Sequence, residues 1–278
     1  MRILVFGAGV IGSVYAANLL RASHEVTLLA RGRRLEDLRT HGLILDNAES
    51  GQREVWPVAA VDAPAPDGEY DLVLVAVQAE QFSATLPVLA ALRDSVDVLF
   101  FGNTIGQSLQ LRDALGRRAL FGFPAVAGAR HGDEIRYGLV NQQQTMLGEI
   151  DGTISDRVRR LRTIFRESGF STTISTDITG WLIGHTAFVV PIAFALYRAG
   201  TDPARLAADR HTLRLMVRAT RQAFRALGEK AQMPLNLRTL YRLPTAIVAG
   251  YWSRALAGPA ANCGSLGTAA PHRRRCTP

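Results

Sequence analysis

The chain has 278 residues, of which 47% are hydrophobic and 20% are charged, and its formal net charge is +8. This composition excludes a disordered chain, and the length suits two domains with a sizeable buried core. We find neither an apolar run long enough to span a membrane nor a basic-then-apolar signal segment, and so we expect no membrane association.

The distribution of charge and cysteine limits the possible functions further. Residues 230–278 carry seven Lys and Arg residues and no acidic residue. Few aromatic side chains accompany this basic segment, so we expect no nucleic-acid partner. The two cysteines, Cys263 and Cys276, lie near the C-terminal end. This argues against a disulfide framework or a zinc site and predicts a cytoplasmic protein without a bound metal.

The N-terminal residues form the most specific motif. A short apolar run ends in Gly-x-Gly-x-x-Gly, and a second apolar run, residues 25–30, follows at the spacing of a βαβ unit. In dinucleotide-binding folds the first glycine allows a tight turn, the second lets the backbone approach a pyrophosphate, and the third lets helix and strand pack closely. The candidate cofactor-binding residues here are Gly7, Ala8, Gly9, Val10, Ile11 and Gly12. The alternative is a glycine-rich turn in another kind of α/β protein.

The residue after the second apolar run indicates which dinucleotide binds. Sites that prefer NAD usually place Asp or Glu there to bind the ribose 2′-hydroxyl. This chain has Arg31, followed by Arg33 and Arg34. A guanidinium binds a 2′-phosphate and an acid repels it, so Arg31 predicts NADP(H) as the cofactor. Arg33 and Arg34 fit a phosphate site and a solvated helix start equally well.

The rest of the chain divides into an α/β part and a helical part. The pattern predicts, in chain order, a helix at 35–43, a polar stretch to Gly68, a strand at 71–77, a helix at 80–93, a strand at 96–101, a helix at 107–115, short strands within 119–148 and a helix at 154–168. Long helices follow near 177–199, 203–228 and 234–256. The fold class is therefore α/β, a mostly parallel sheet followed by an all-helical domain.

The last residues differ from the rest in composition. From Gly258 onward they are small and lack periodicity, and they lead to three arginines at 273–275. We predict a disordered or loosely packed tail at 258–278. The alternative is a tail that binds anions.

Six motifs, in this order and spacing, resemble those of the ketopantoate reductase family, within the larger 6-phosphogluconate-dehydrogenase-like group. The motifs are residues 7–12, 29–31, 74–78, 101–106, 147–152, and Asp177-Ile178 with Trp181. The resemblance covers nearly all of residues 1–256. It implies a doubly wound Rossmann domain at 1–175 that binds NADPH, and a helical domain at 176–257 that serves the substrate and a homodimer contact. In the family a hydride passes from the nicotinamide to the ketone of a 2-oxo acid, while a lysine protonates the forming alkoxide.

The chain departs from the family pattern where the substrate would bind. The departures are Gln78 for a lysine near the cofactor, Thr104 for a glycine, Ile183 for the proton-donating lysine, and Ala187 and Pro191 for two substrate-binding asparagines. By its position in the motif, Gln78 is still a candidate cofactor-binding residue.

Two residues are candidates for catalysis. Isoleucine donates no proton, and His185, two positions along the same predicted helix, is the nearest substitute. It lies about 200° around that helix from Ile183, so a core or interface histidine is the alternative. Asn103 follows the carboxyl end of a strand, where open α/β sheets bind ligands, and its amide can hold a substrate carbonyl or the nicotinamide ribose. The alternative for Asn103 is a turn-forming residue.

Two functional hypotheses follow from these observations. The first is an NADPH-dependent oxidoreductase that reduces a 2-oxo acid or a related ketone other than ketopantoate. The second is a non-catalytic NADP(H)-binding protein of the same fold. The glycine motif and Arg31 support both, whereas the apolar residue at position 183 favours the second or a changed substrate.

Overall fold

The structure is a computed structural model and describes residues 1–65, 68–140, 143–232 and 235–257. Its strands are β1 (Arg2–Phe6), β2 (Glu25–Leu29), β3 (Leu43–Asn47), β4 (Arg53–Trp56), β5 (Ala59–Val61), β6 (Leu72–Val75), β7 (Asp97–Phe101), β8 (Ala119–Phe123), β9 (Val126–His131), β10 (Glu134–Leu139), β11 (Thr145–Gly148) and β12 (Thr172–Ile174). Its α-helices are α1 (Val10–Arg21), α2 (Arg33–His41), α3 (Phe82–Ala90), α4 (Ser108–Leu115), α5 (Asp156–Glu167), α6 (Ile178–Arg198), α7 (Pro203–Ala208), α8 (Arg210–Leu227), α9 (Leu235–Leu240) and α10 (Thr245–Ala257).

The main sheet has eight strands in the order β12-β11-β8-β7-β6-β1-β2-β5. The six strands from β8 to β5 are parallel, β11 pairs antiparallel with β8, and β12 is parallel to β11. The chain starts in the middle of the sheet at β1 and adds strands first on one side and then on the other. This reversal of strand order creates a crevice at the carboxyl ends of the strands, where open α/β sheets bind ligands.

The stretch to Gly68, which the sequence describes only as polar and proline-containing, contains three strands. Strands β3 and β4 pair with each other, and with β9 and β10 they form a second sheet in the order β4-β3-β10-β9. Strand β5 lies at the edge of the main sheet. These strands are short, and β4 alternates between exposed and half-buried residues, so their sequence lacks a continuous apolar run.

The described elements after β12 are all helices, which confirms the predicted fold class. The helix expected at 203–228 is two helices, because the side chain of Asp209 accepts from the backbone N–H of Thr212 and begins α8. The helix expected at 234–256 is also two helices, separated by the turn before Pro244. The domain division at residue 175 stays a prediction, and the predicted tail at 258–278 lies outside the described residues.

Helix α6 belongs to two hydrophobic cores. Near its start, Ile178 and Leu182 are buried with side chains of β6 and β7 on one face of the main sheet. Near its end, Ile192 and Leu196 are buried with side chains of α8 and α10. The helix therefore connects the sheet to the helical part of the chain.

Backbone contacts hold the first half of α6. Asp177 caps the helix by accepting from the N–H of Gly180 at 2.8 Å. The backbone N–H of Gln232 donates to the carbonyl of Gly180 at 2.9 Å, and the Gln232 side chain donates to Asp177 at 2.8 Å. A Cβ at Gly184 would lie 1.8 Å from the carbonyl oxygen of Gln232. Only glycine at this position lets the two segments approach so closely.

An ion network stabilises the edge of the sheet opposite to the crevice. Arg157, on α5, donates to both carboxylate oxygens of the buried Glu149 at 2.7 and 2.5 Å, and to Asp97 at 3.0 Å. Asp97 begins β7 and Glu149 follows β11. A cavity of about 720 Å³ opens at this edge. These three side chains line the cavity, and both carboxylates already bind Arg157, so we assign the three residues to stability.

Candidate functional site

The glycine motif lies at the carboxyl end of β1, where the chain turns into α1. Gly7 has φ of +115°, and a Cβ there would lie 2.9 Å from the carbonyl oxygen of Ala76. A Cβ at Gly12 would lie 2.0 Å from the carbonyl oxygen of Gly7. Gly9 differs, because it is exposed, has φ of −75°, and has no atom within 4 Å of an added Cβ. The turn and the helix contact thus require the first and third glycines, while the second faces open space.

The N-terminus of α1 is suited to an anion. Gly9 is its N-cap residue, no side chain caps the helix, and the first turn carries no acidic residue. The N–H of Ser13 is bonded to the carbonyl of Gly9 at 3.0 Å. The N–H groups before Ser13 have no earlier turn of this helix to donate to. The positive end of the helix dipole adds to their preference for negative charge.

The three arginines after β2 have different environments. Arg31 and Arg33 are exposed, and the Nε of Arg33 lies 4.0 Å from Asp37. Arg34 is buried, so it is not part of a solvated helix start. It donates to the carbonyl oxygens of Ala8 at 3.2 Å and Asp133 at 2.8 Å, and lies against the glycine motif. Arg34 therefore supports the turn, and of the two exposed arginines Arg31 is the one that lies closer to the carboxyl end of β2.

The other two candidates of the sheet follow neighbouring strands. Gln78 comes shortly after β6 and is exposed, and its backbone N–H donates to the side-chain oxygen of Gln81 at 3.1 Å. Asn103 comes shortly after β7 and is half-buried. Strands β1, β6 and β7 are parallel neighbours, so the glycine motif, Gln78 and Asn103 lie along one edge of the sheet.

Asn103 connects the sheet to α6. Its Oδ1 accepts from the backbone N–H of Ile105 at 3.2 Å, and its Nδ2 donates to the hydroxyl of Thr186. Thr186 was missed by the sequence analysis, because no motif marks one threonine within an apolar helix. The next residue, Thr104, is buried, and its hydroxyl lies 3.2 Å from that of Ser108. The positive φ of this turn, +157°, belongs to Gly102 instead, so position 104 does not require glycine.

Helix α6 presents no ionisable group at the positions that the resemblance singles out. Ile183 is half-buried, Ala187 is buried, and Pro191 lies inside the helix. Proline there has no N–H to donate to the carbonyl of Ala187.

His185 packs among aromatic rings at the junction of α6 and the sheet. Its ring is 4.2 Å from that of Phe123 and 5.1 Å from that of Trp181, with which it is stacked at 11°. Burial lowers the pKa of His185 to about 4. The imidazole is therefore neutral at pH 7, and its surroundings favour the alternative of a core histidine over a proton donor.

Two further features bear on what the chain can bind. Among the described residues, no group of three or more His, Cys, Asp or Glu side chains could hold a metal ion. By length and composition alone, helix α6 could cross a membrane. In its most apolar 18-residue segment, 39% is buried inside the protein. This corrects the expectation that no apolar run has that length, although the core helix of a soluble protein passes the same test.

Comparison with known proteins identifies the family. The family model described as ketopantoate reductase PanE/ApbA matches residues 3–152, which is more than half of the chain. The chain belongs to the ketopantoate reductase family. A curated relative, the 2-dehydropantoate 2-reductase of Mesorhizobium japonicum, is 30% identical over 82% of this chain and 76% of that protein. The 2-dehydropantoate 2-reductase of Pyrococcus horikoshii is 25% identical, and the match spans 65% of this chain and 58% of that protein.

Solved structures share the fold of this family member. A PanE/ApbA family ketopantoate reductase from Ralstonia eutropha superposes with a TM-score of 0.72 and 22% identity, covering 87% of this chain and 79% of the other. A D-mandelate dehydrogenase with NADH and anilino(oxo)acetate superposes with a TM-score of 0.74 and 16% identity, covering 94% and 81%. At these identities the similarity establishes the fold alone.

Proposed function

We propose that this chain is an NADPH-dependent oxidoreductase that reduces a 2-oxo acid or a related ketone. The observation that carries the proposal is the open glycine motif at the N-terminus of α1 with the exposed Arg31 on the neighbouring strand. Family membership supports the reaction class, and the D-mandelate dehydrogenase with NADH supports a nicotinamide dinucleotide.

The residues present fit such a cofactor. Open space in front of Gly9 admits a pyrophosphate to the N–H groups of α1. Arg31 is the guanidinium for a 2′-phosphate, and Gln78 and Asn103 lie further along the same edge for the nicotinamide half. When bound, the cofactor supplies a hydride to the ketone.

A second function, a non-catalytic NADP(H)-binding protein, is favoured by one observation. Ile183, Ala187 and Pro191 provide neither a proton nor a side-chain hydrogen bond where the resemblance places a lysine and two asparagines. A positioned acid contributes about 10²–10⁴-fold to the rate of such a reaction. Both functions require the same cofactor site. They differ in whether the protein then reduces a ketone.

Calorimetric titration tests the cofactor site. Arg31→Ala should weaken NADPH binding by about 1.5–3 kcal/mol, because hydrogen bonds between charged groups have this value. NADH binding should hardly change. Arg214→Ala is the control for removing an exposed arginine, because Arg214 lies on α8 and not at the carboxyl edge of the sheet. An equal loss of NADPH and NADH affinity on Arg31→Ala would refute the 2′-phosphate contact.

A turnover screen separates the two functions. NADPH oxidation is followed by absorbance against a panel of 2-oxo acids, ketones and aldehydes that includes ketopantoate. We expect turnover of at least one 2-oxo acid and slow or no turnover of ketopantoate. Tight NADPH binding without turnover of any panel member would establish the binding protein instead.

An exposed apolar stripe supports a homodimer through the helical part. Val190, Phe194 and Tyr197 follow at helical spacing on α6 with exposed fractions of 43, 71 and 61%. Because the first half of α6 is buried against the sheet, we propose a cytoplasmic protein in which a second copy covers this stripe, with neither membrane nor nucleic acid as partner. Phe194→Glu should then halve the mass measured by sedimentation equilibrium, and an unchanged mass would refute this contact.

A further inference from the structure

Two hydrogen bonds fix the orientation of the Asn103 side-chain amide. A backbone N–H can only donate, so the Asn103 atom that faces the N–H of Ile105 at 3.2 Å is the oxygen. The amide nitrogen therefore faces α6 and donates to the hydroxyl oxygen of Thr186. In this bond Thr186 is the acceptor, and its own proton is left to donate elsewhere.

The hydroxyl proton of Thr186 has no acceptor among the residues that the structure describes. Other helical threonines donate to their own helix, as Thr163 does to the carbonyl of Arg159 at 3.2 Å and Thr220 to that of Met216 at 3.0 Å. Thr186 instead has its oxygen turned to Asn103 and is half-buried. A half-buried donor without a partner is a group that a ligand can satisfy.

Thr186 lies close to the positions on α6 where the family resemblance places the substrate. It lies three residues after Ile183, which places it about 60° around α6 and on the same side of the helix. Its partner Asn103 follows β7, on the edge that carries the glycine motif and Gln78. The hydroxyl thus lies where α6 meets the candidate cofactor edge.

We propose that the Thr186 hydroxyl donates a hydrogen bond to the carbonyl oxygen of the substrate, and that Asn103 is the positioning residue that orients it. This inference rests on the proposed function. Reduction adds a hydride from a reduced nicotinamide dinucleotide to the carbonyl carbon, and the π electrons of the C=O bond move to the oxygen. The Thr186 donor stabilises that charge, and a proton from water completes the alcohol. The ligand is a 2-oxo acid or ketone, and its carbonyl oxygen would bind Thr186 because this chain has Ile183 in place of the family's lysine.

Two substitutions test the donor. Thr186→Val keeps the branched shape and removes the hydroxyl, whereas Thr186→Ser keeps the hydroxyl. Thr163→Val, on the exposed side of α5, is the control for removing a helical hydroxyl. For the 2-oxo acid that the turnover screen identifies, we expect Thr186→Val to lower kcat by about 10²-fold and to raise KM by about 10-fold, because the donor binds the carbonyl oxygen and binds it more strongly as charge develops there. Thr186→Ser should stay within about threefold of the native protein.

A binding measurement supplies a readout besides turnover. Oxamate, which carries a carbonyl beside a carboxylate, is titrated calorimetrically into protein saturated with the cofactor. Thr186→Val should weaken oxamate binding about 10-fold, leave NADPH affinity unchanged, and leave the melting temperature near that of Thr186→Ser.

The outcomes separate this inference from the proposed function. Absence of NADPH binding by the native protein would overturn the proposed function. Normal NADPH binding together with an unchanged kcat or an unchanged oxamate affinity in Thr186→Val would overturn the Thr186 donor alone. Failure of the cofactor-loaded native protein to bind oxamate would also overturn it. A lower melting temperature with unchanged kcat would make the Asn103 bond merely structural.

Discussion

Gly9→Val separates cofactor binding from folding. The backbone of Gly9, with φ of −75° and ψ of −171°, is in a region that valine adopts, and no atom lies within 4 Å of an added Cβ. We expect the free energy of unfolding to change by less than about 0.5 kcal/mol. The new side chain would fill the space that a pyrophosphate needs. Loss of two hydrogen bonds to charged oxygens, at about 1.5–3 kcal/mol each, amounts to a decrease of about 10²–10⁴-fold in NADPH affinity.

Calorimetric titration and a thermal melt measure the two effects separately. Gly12→Ala is the opposite control, because its Cβ would lie 2.0 Å from the carbonyl oxygen of Gly7 and must displace backbone. We expect Gly12→Ala to lower the melting temperature and Gly9→Val to leave it unchanged. Normal NADPH binding by a folded Gly9→Val protein would refute the assignment of this turn as the phosphate site.

Three further predictions concern other parts of the molecule. The pKa of His185, about 4 in the folded protein against an ordinary value near 6.5, means that the unfolded chain binds the extra proton first as the pH falls. Between pH 7 and 5 the native protein should therefore lose about 2 kcal/mol more stability than His185→Phe, as measured by urea unfolding. Arg157→Met leaves the buried Glu149 carboxylate without its arginine, with only Ser155 still donating to it, and should cost about 3 kcal/mol in the same assay, without changing NADPH affinity. Ile183→Lys should raise turnover of ketopantoate only slightly. Combined with Ala187→Asn it should raise turnover by more than the sum of the single effects in free energy, and strict additivity in steady-state kinetics would contradict this.

The main sheet could be predicted because its strands are buried on both faces. Residues 72–75 are apolar and completely buried, so their sequence has the continuous apolar pattern of a parallel strand. Strands β3 to β5 could not be found in this way, because they are short and partly exposed. The break at Asp209 was missed because a capping aspartate between two amphipathic segments does not interrupt their periodicity.

At the candidate site, local motifs were predictable and tertiary contacts were not. The roles of Gly7 and Gly12 follow from spacing alone, and the structure has the expected close approaches. Arg33 and Arg34 are indistinguishable in sequence, yet one is exposed and the other buried against Ala8. The Asn103–Thr186 bond joins residues 83 positions apart, and no local pattern encodes such a pair.

The way α6 is anchored has an evolutionary consequence. The cap at Asp177, the bond to the carbonyl of Gly180 and the contact at Gly184 hold the first half of this helix through its backbone, in addition to the apolar side chains that it buries. None of these three contacts uses the side chain of the half-buried Ile183. Mutations can accumulate there without dislodging the helix, so the chemistry of the cleft can drift while the architecture persists. A lineage built in this way can exchange one substrate for another, or lose catalysis altogether, without first passing through an unstable protein.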